Sequence, residues 1–136
     1  MVFLLDSNAF SDLMRKHPRV EARLAALDPD DRVIRCPIVR GEILYGIERL
    51  PEGRRRSDIT KQAQPLFESI GCELIPASAG DAYARLKRAR QQRGLELDEN
   101  DLWIAATASA IGATLVTRDR DFASIEGLTA VDWTAP

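Results

Sequence analysis

Four carboxylates stand out in this chain by where they fall rather than by number: Asp6, Glu42, Asp101 and Asp119. Asp6 ends the apolar run Val2-Phe3-Leu4-Leu5, and Asp119 comes just after the run from Thr114 to Thr117, so both stand beyond short segments of buried-strand character. Asp101 opens an alanine-rich apolar segment, Leu102 to Ile111, and Glu42 lies in a segment of helical periodicity. Carboxylates brought together repel one another and resist losing water, so such a group persists where a cation relieves it. With oxygen ligands alone that cation is a hard one, Mg²⁺ or Mn²⁺. The single histidine, His17, has no partner at zinc spacing, and Cys36 and Cys72 are expected to be buried, reduced thiols.

Each acid also has a plainer explanation. Asp6-Ser7-Asn8 is good capping chemistry for a strand-to-helix turn, and Glu42 taken alone reads as a solvated helix residue. Asp98 and Asp101 fit a capping-box-like start, with Asp98 as cap and Asp101 at the positive end of the helix dipole. Asp119 suits a turn after a strand, with Asp121 available for the same duty. Gly46, one turn after Glu42, costs a helix about 1 kcal/mol relative to alanine, which implies close packing beside the acid.

Whether these acids meet depends on the elements that carry them. After the first strand the pattern predicts a helical stretch to about Ala26, a turn at Asp28-Pro29-Asp30-Asp31, and a second strand at Val33 to Cys36. A helix from about Ile38 to Arg49 follows, with Ile38, Ile43, Ile47 and Leu50 as its apolar stripe, and ends before Pro51. Next come a charged helix from Arg54 to Ser69, a strand at Cys72 to Ile75, and a helix from Ser78 to Arg93. That last helix buries Ala82, Leu86 and Ala89, and Gly94 stands at its C-cap. The buried alanine-rich helix feeds Gly112, a fourth strand spans Thr114 to Thr117, and a last one spans Leu128 to Val131. Strands alternating with helices predict an α/β fold: a mainly parallel sheet between helical layers, with ligands at the carboxyl ends of the strands. Asp6 and Asp119 then share one edge, and a helix opening there brings Asp101 to them.

The chain has 136 residues, enough for one core, and is expected to form a single domain over residues 1–136. Hydrophobic residues at 45% and charged residues at 29% exclude a disordered chain. Asp6 interrupts the first apolar run too early for a signal peptide or a membrane span, which implies a cytoplasmic protein with no membrane partner. The net charge of −2 argues against a nucleic-acid binder on composition alone, so the placement of the bases must decide.

Four stretches together resemble the PIN-domain ribonucleases, and most closely their VapC-like toxin branch. They are Leu4-Leu5-Asp6-Ser7-Asn8; Arg40-Gly41-Glu42-Ile43-Leu44-Tyr45-Gly46; Asn100-Asp101-Leu102-Trp103-Ile104-Ala105-Ala106-Thr107-Ala108; and Leu115-Val116-Thr117-Arg118-Asp119 with Asp121-Phe122. The resemblance covers nearly the whole chain and implies a three-layer α/β/α PIN-like fold. It implies that Asp6, Glu42, Asp101 and Asp119 form a catalytic metal cluster for Mg²⁺ or Mn²⁺. Asn8 and Thr117 become polar neighbours that orient ligands or water, with Asp121 peripheral. Ser7 replaces the threonine of many relatives and keeps the hydroxyl.

The implied activity is endonucleolytic hydrolysis of RNA by metal-activated water, leaving a 5′-phosphate and a 3′-hydroxyl. The implied partners are an RNA substrate, a VapB-like antitoxin and a second copy of the chain in a homodimer. Arg85, Lys87 and Arg88, or Arg54, Arg55, Arg56 and Lys61, are candidates for phosphate contacts, although each taken alone reads as part of a solvated helix face. A haloacid-dehalogenase-like phosphatase needs a second aspartate where Asn8 stands, and a response-regulator receiver needs one after the third strand, where Pro76 stands. The remaining alternative is a catalytically silent PIN-like module that binds RNA or protein, against which the four intact acids argue.

Overall fold

The computed structural model describes residues 1–96 and 98–136. Five strands, β1 (Val2–Leu5), β2 (Arg32–Arg35), β3 (Gly71–Cys72), β4 (Thr114–Val116) and β5 (Thr129–Val131), form one parallel sheet in the order β3-β2-β1-β4-β5. Six helices flank it: α1 (Ser7–Met14), α2 (Pro18–Ala25), α3 (Pro37–Glu48), α4 (Arg54–Ser69), α5 (Ala79–Gln92) and α6 (Glu99–Ile111). This is the expected α/β architecture with a parallel central sheet. The central strand β1 buries Phe3, Leu4 and Leu5, as a continuous apolar run requires when both faces of a sheet are covered. From β1 the chain builds outward through β2 to β3 and then crosses to β4, so the order reverses between β1 and β4. That is the switch point where parallel sheets open a crevice at their carboxyl ends.

The expected helix to Ala26 is two helices. Arg15 caps α1, Lys16 takes the left-handed conformation at φ 57°, and its N–H bonds the Leu13 carbonyl while that of His17 bonds the Asp12 carbonyl. This paired closure ends a helix and usually uses glycine. Pro18 then starts α2 at a position where its missing N–H costs nothing. Strand β3 is only two residues long, against the four expected, and Cys72 on it is exposed while Cys36 is buried. In α3 the buried stripe is Val39, Ile43 and Ile47, with Ile38 only half-buried.

The core joins the sheet to α1, α3 and α6, where Ile104, Ala105, Ala106 and Ala108 let backbones approach closely. Helix α5 packs along α6, burying Ala79, Ala82, Leu86 and Arg90; Ala89, expected inside, is half-buried. Buried Arg35 donates through Nη2 to the Phe67 carbonyl at 3.1 Å, placing a cation at the negative end of α4. No helix among the described residues is long and apolar enough to cross a membrane.

Candidate active site

Asp6 stands where β1 gives way to α1. Its backbone N–H bonds the Val116 carbonyl at 3.1 Å, fixing it against β4, and its Oδ1 caps α1 by accepting from the Ala9 N–H at 2.8 Å. Capping and a role in the acid group are therefore compatible. Burial pushes the Asp6 carboxyl above its ordinary pKa, against the pull of the Ala9 amide, the Thr117 hydroxyl and Arg118, while Asp12 adds to the rise. Beyond β4, buried Thr117 accepts the Asp119 N–H on Oγ1 at 3.1 Å, and Asp119 Oδ1 accepts from the Asp121 N–H at 2.9 Å. Asp119 thus opens the single 3₁₀ turn Arg120–Phe122, as its turn chemistry predicts.

Glu42 is half-buried on α3, and its Oε1 accepts from the Ser7 hydroxyl at 2.6 Å. Asp101 lies in the first turn of α6. Its carboxyl is pushed up to about 6 by burial first, then by the charges of Asp98, Glu42, Asp6 and Asp119. One carboxyl therefore feels all three of the other acids singled out from the sequence. Asp98 holds the N-cap position of α6, but its side chain makes no cap hydrogen bond, so the expected capping duty is absent and its charge adds to the pressure on Asp101.

Among the described residues no three acidic, histidine or cysteine side chains stand as a ready-made metal group. Three of the acids are held by local donors: Ala9 N–H bonds Asp6, the Ser7 hydroxyl Glu42 and Asp121 N–H Asp119. Each of these bonds engages one carboxylate oxygen, and at Glu42 and Asp119 the twin makes no hydrogen bond among the described residues. An all-oxygen set with a surplus of unrelieved negative charge at Asp101 fits a hard divalent cation. Zinc donors are absent from the group: His17 Nδ1 accepts from the Arg19 N–H at the start of α2.

The other expected residues divide. Thr117 sits inside the group, and Asn8 is exposed on the first turn of α1. Asp121 is turned to structure: Arg90 Nη1 donates to its carbonyl at 3.1 Å, and Arg90 Nη2 stands 3.5 Å from its carboxylate. Lys87 is engaged by Glu99 at 2.8 Å and by the Tyr83 hydroxyl, and Arg56 by Glu48 at 3.3 Å, whereas Arg54, Arg55, Lys61, Arg85 and Arg88 are exposed. Gly46 is exposed with nothing within 4 Å of where a Cβ would stand, so the expected close packing beside Glu42 is not there. It lines instead a groove of about 460 Å³ with Met14, Ile43, Ile47 and Ile59, bordered by Glu42 itself. Sequence reasoning missed the buried Asp12 and Arg90; charged residues on amphipathic helices carry no mark of burial.

The fold agrees with that of the proteins the chain resembles. The PIN domain family matches residues 3–128. Ribonuclease VapC2 of Rickettsia felis is 30% identical over 137 residues, covering 98% of both chains, and ribonuclease VapC1 of Haemophilus influenzae strain R2866 is 27% identical over 140 residues, covering 98% of this chain and 99% of that one. Among solved structures, a chain of VapBC2 from Rickettsia felis bound to a promoter DNA fragment superposes with a TM-score of 0.86 at 26% identity, covering 98% of this chain and 99% of that one. The protein belongs to the PIN-domain family, in the branch of the VapC ribonucleases.

Proposed function

We propose that this protein is a metal-dependent endoribonuclease, the toxin half of a VapBC-like toxin–antitoxin pair, acting on RNA at the carboxyl edge of its sheet. The observation that carries the reading is Asp101, whose carboxyl is held at about 6 by burial and by a set of charges that includes Glu42, Asp6 and Asp119. In this reading Asp6, Glu42, Asp101 and Asp119 hold Mg²⁺ or Mn²⁺. When bound, the cation supplies charge stabilisation at a phosphate oxygen and a water of lowered pKa. The acids themselves orient and form no covalent intermediate. Thr117 steadies the start of the Asp119 turn through its hydroxyl, and in this reading Asn8, exposed on the first turn of α1, orients water or ligand. The products are a 5′-phosphate and a 3′-hydroxyl.

The chain works in this reading as one domain in the cytoplasm, as a homodimer paired with a VapB-like antitoxin. The Rickettsia felis structure is of a VapBC complex, which supports such a partner. The apolar groove beside Glu42 suits an antitoxin segment that reaches the acids from it. The testing experiment is cleavage of a mixed RNA pool with Mg²⁺, Mn²⁺ or EDTA, comparing wild type with Asp6→Asn and Asp119→Asn purified identically. Cleavage that needs metal and disappears in both variants is the expected result. Three preparations that behave alike would favour a silent binding module.

A further inference from the structure

Asp12 is a buried charge outside the group of four acids. Its side chain is only 2% exposed, in the last turn of α1, and a carboxylate so placed must be paired. It is paired twice: Arg15 Nη2 meets Oδ1 at 2.6 Å, and Arg118 Nε stands 3.3 Å from Oδ2. One buried negative charge thus collects two arginines. Arg15 lines the groove beside Glu42, and Arg118 does not.

Arg118 immediately precedes Asp119. Its Nε stands 3.3 Å from Asp12 Oδ2 as an ion pair without a hydrogen bond, the side chain remains 43% exposed, and its guanidinium donates no hydrogen bond among the described residues. Its charge is felt by Asp6, which sets it at the carboxyl edge of the sheet with the acids. A nucleic acid laid across four carboxylates meets repulsion that a fixed cation at their rim would offset. A guanidinium drawn by charge toward a buried carboxylate, with its outer part still exposed and no hydrogen bond made, has donors to offer the two oxygens of a phosphate.

We propose that Arg118 is a substrate-contacting residue of this site, its exposed guanidinium taking a phosphate of the RNA strand that crosses the acids, and that Asp12 is the positioning residue whose buried charge keeps it there. The proposal rests on the ribonuclease reading of the site. It differs from a bracing role in which Arg118 merely steadies Asp119.

The test uses the full chain carrying Asp101→Asn, so that RNA survives, with binding of a fluorescent mixed-sequence single-stranded RNA followed across a KCl series. Adding Arg118→Gln should weaken binding by roughly tenfold and reduce the log–log salt slope by about 0.7, the loss of one phosphate contact on a single strand. Arg118→Lys should keep the slope, and Arg32→Gln, at the amino edge of the sheet, should change neither quantity. Asp12→Asn should lose affinity as Arg118→Gln does; because it removes a buried charge and risks the fold, the two Arg118 variants decide. In the otherwise wild-type chain, thermal stabilisation by Mn²⁺ should survive Arg118→Gln. An unchanged salt slope in Arg118→Gln overturns the proposal, and loss of the Mn²⁺ effect with the slope intact assigns Arg118 to bracing instead. If the parent binds no RNA and wild type cleaves none, the ribonuclease reading itself fails, an outcome distinct from either.

Discussion

The Ser7 hydroxyl donates a 2.6 Å hydrogen bond to Glu42 Oε1, joining the first turn of α1 to α3 across 35 residues of sequence. Asp6, the cap of that same turn, is held to β4 through its own N–H. Two acids carried by different elements are therefore referred to one helix start, next to the switch point of the sheet.

Removing the Ser7 hydroxyl should release Glu42 without touching an acid. Partners that orient metal-binding side chains typically matter by 10- to 100-fold in affinity or activity. For Ser7→Ala we expect Mn²⁺ affinity, read by thermal shift, to fall roughly tenfold and RNA cleavage to fall with it. Ser7→Thr should retain most of both, because the hydroxyl persists.

Asp101 links the site to stability. Its folded pKa of about 6 lies above the ordinary 3.8, so between those values the folded state binds more protons than the unfolded chain. Stability from this group therefore falls as pH rises through about 4 to 6 and stays low above. Asp6, also raised, acts in the same direction. A shift of this size corresponds to about 3 kcal/mol for a fully buried group, and solvent screening at this half-buried carboxyl cuts that to about 1 kcal/mol. In metal-free protein Asp101→Asn should raise the Tm by about 3 °C at pH 7.5 and by less at pH 5. Mg²⁺ should raise the Tm of wild type and not that of the variant. Equal melting temperatures at pH 7.5 would count against a shared acid group.

The parts of this arrangement that were legible in the sequence are those written in local pattern. Continuous apolar runs marked β1 and β4, the break at Pro51 to Gly53 marked the start of α4, and alternation of strands with helices gave the parallel sheet whose edge gathers Asp6 and Asp119. The boundary between α1 and α2 was hidden because Lys16 adopts a left-handed turn normally signalled by glycine. Gly46 misled for the opposite reason: a helix glycine reads the same whether it permits close packing or lines an open groove. Asp12 and Arg90 went unmarked because each is buried against a partner far along the chain, Arg118 at 106 residues and Asp121 at 31, and no periodicity encodes such a pairing.

Arg90 supplies a test of how the Asp119 turn is held. The side chain is 2% exposed and ties α5 to Asp121 through that residue's carbonyl as well as its carboxylate. Arg90→Ala should cost about 2–4 kcal/mol, the range for losing a buried side chain and leaving its acceptors unpaired. Asp121→Asn keeps the carbonyl and removes a charge that is half exposed, so it should cost under about 1 kcal/mol. Denaturant unfolding of the two variants measures this contrast, and cleavage by Asp121→Asn should stay within about twofold of wild type.

Gly46 separates the free chain from its partnered form. A Cβ there meets nothing within 4 Å, so Gly46→Ala should raise the Tm of the isolated protein, with about 1 kcal/mol of helix propensity behind the gain. Gly46→Leu should also fold, since the added side chain projects into the groove formed with Met14, Ile43, Ile47 and Ile59. If an antitoxin segment fills that groove, the leucine variant should cleave RNA about as well as wild type while needing at least tenfold more antitoxin for inhibition, measured by titrating a VapB-like partner into the cleavage reaction. Unchanged inhibition by the leucine variant would mean that the partner reaches the acids by another route and that Gly46 serves only the local backbone.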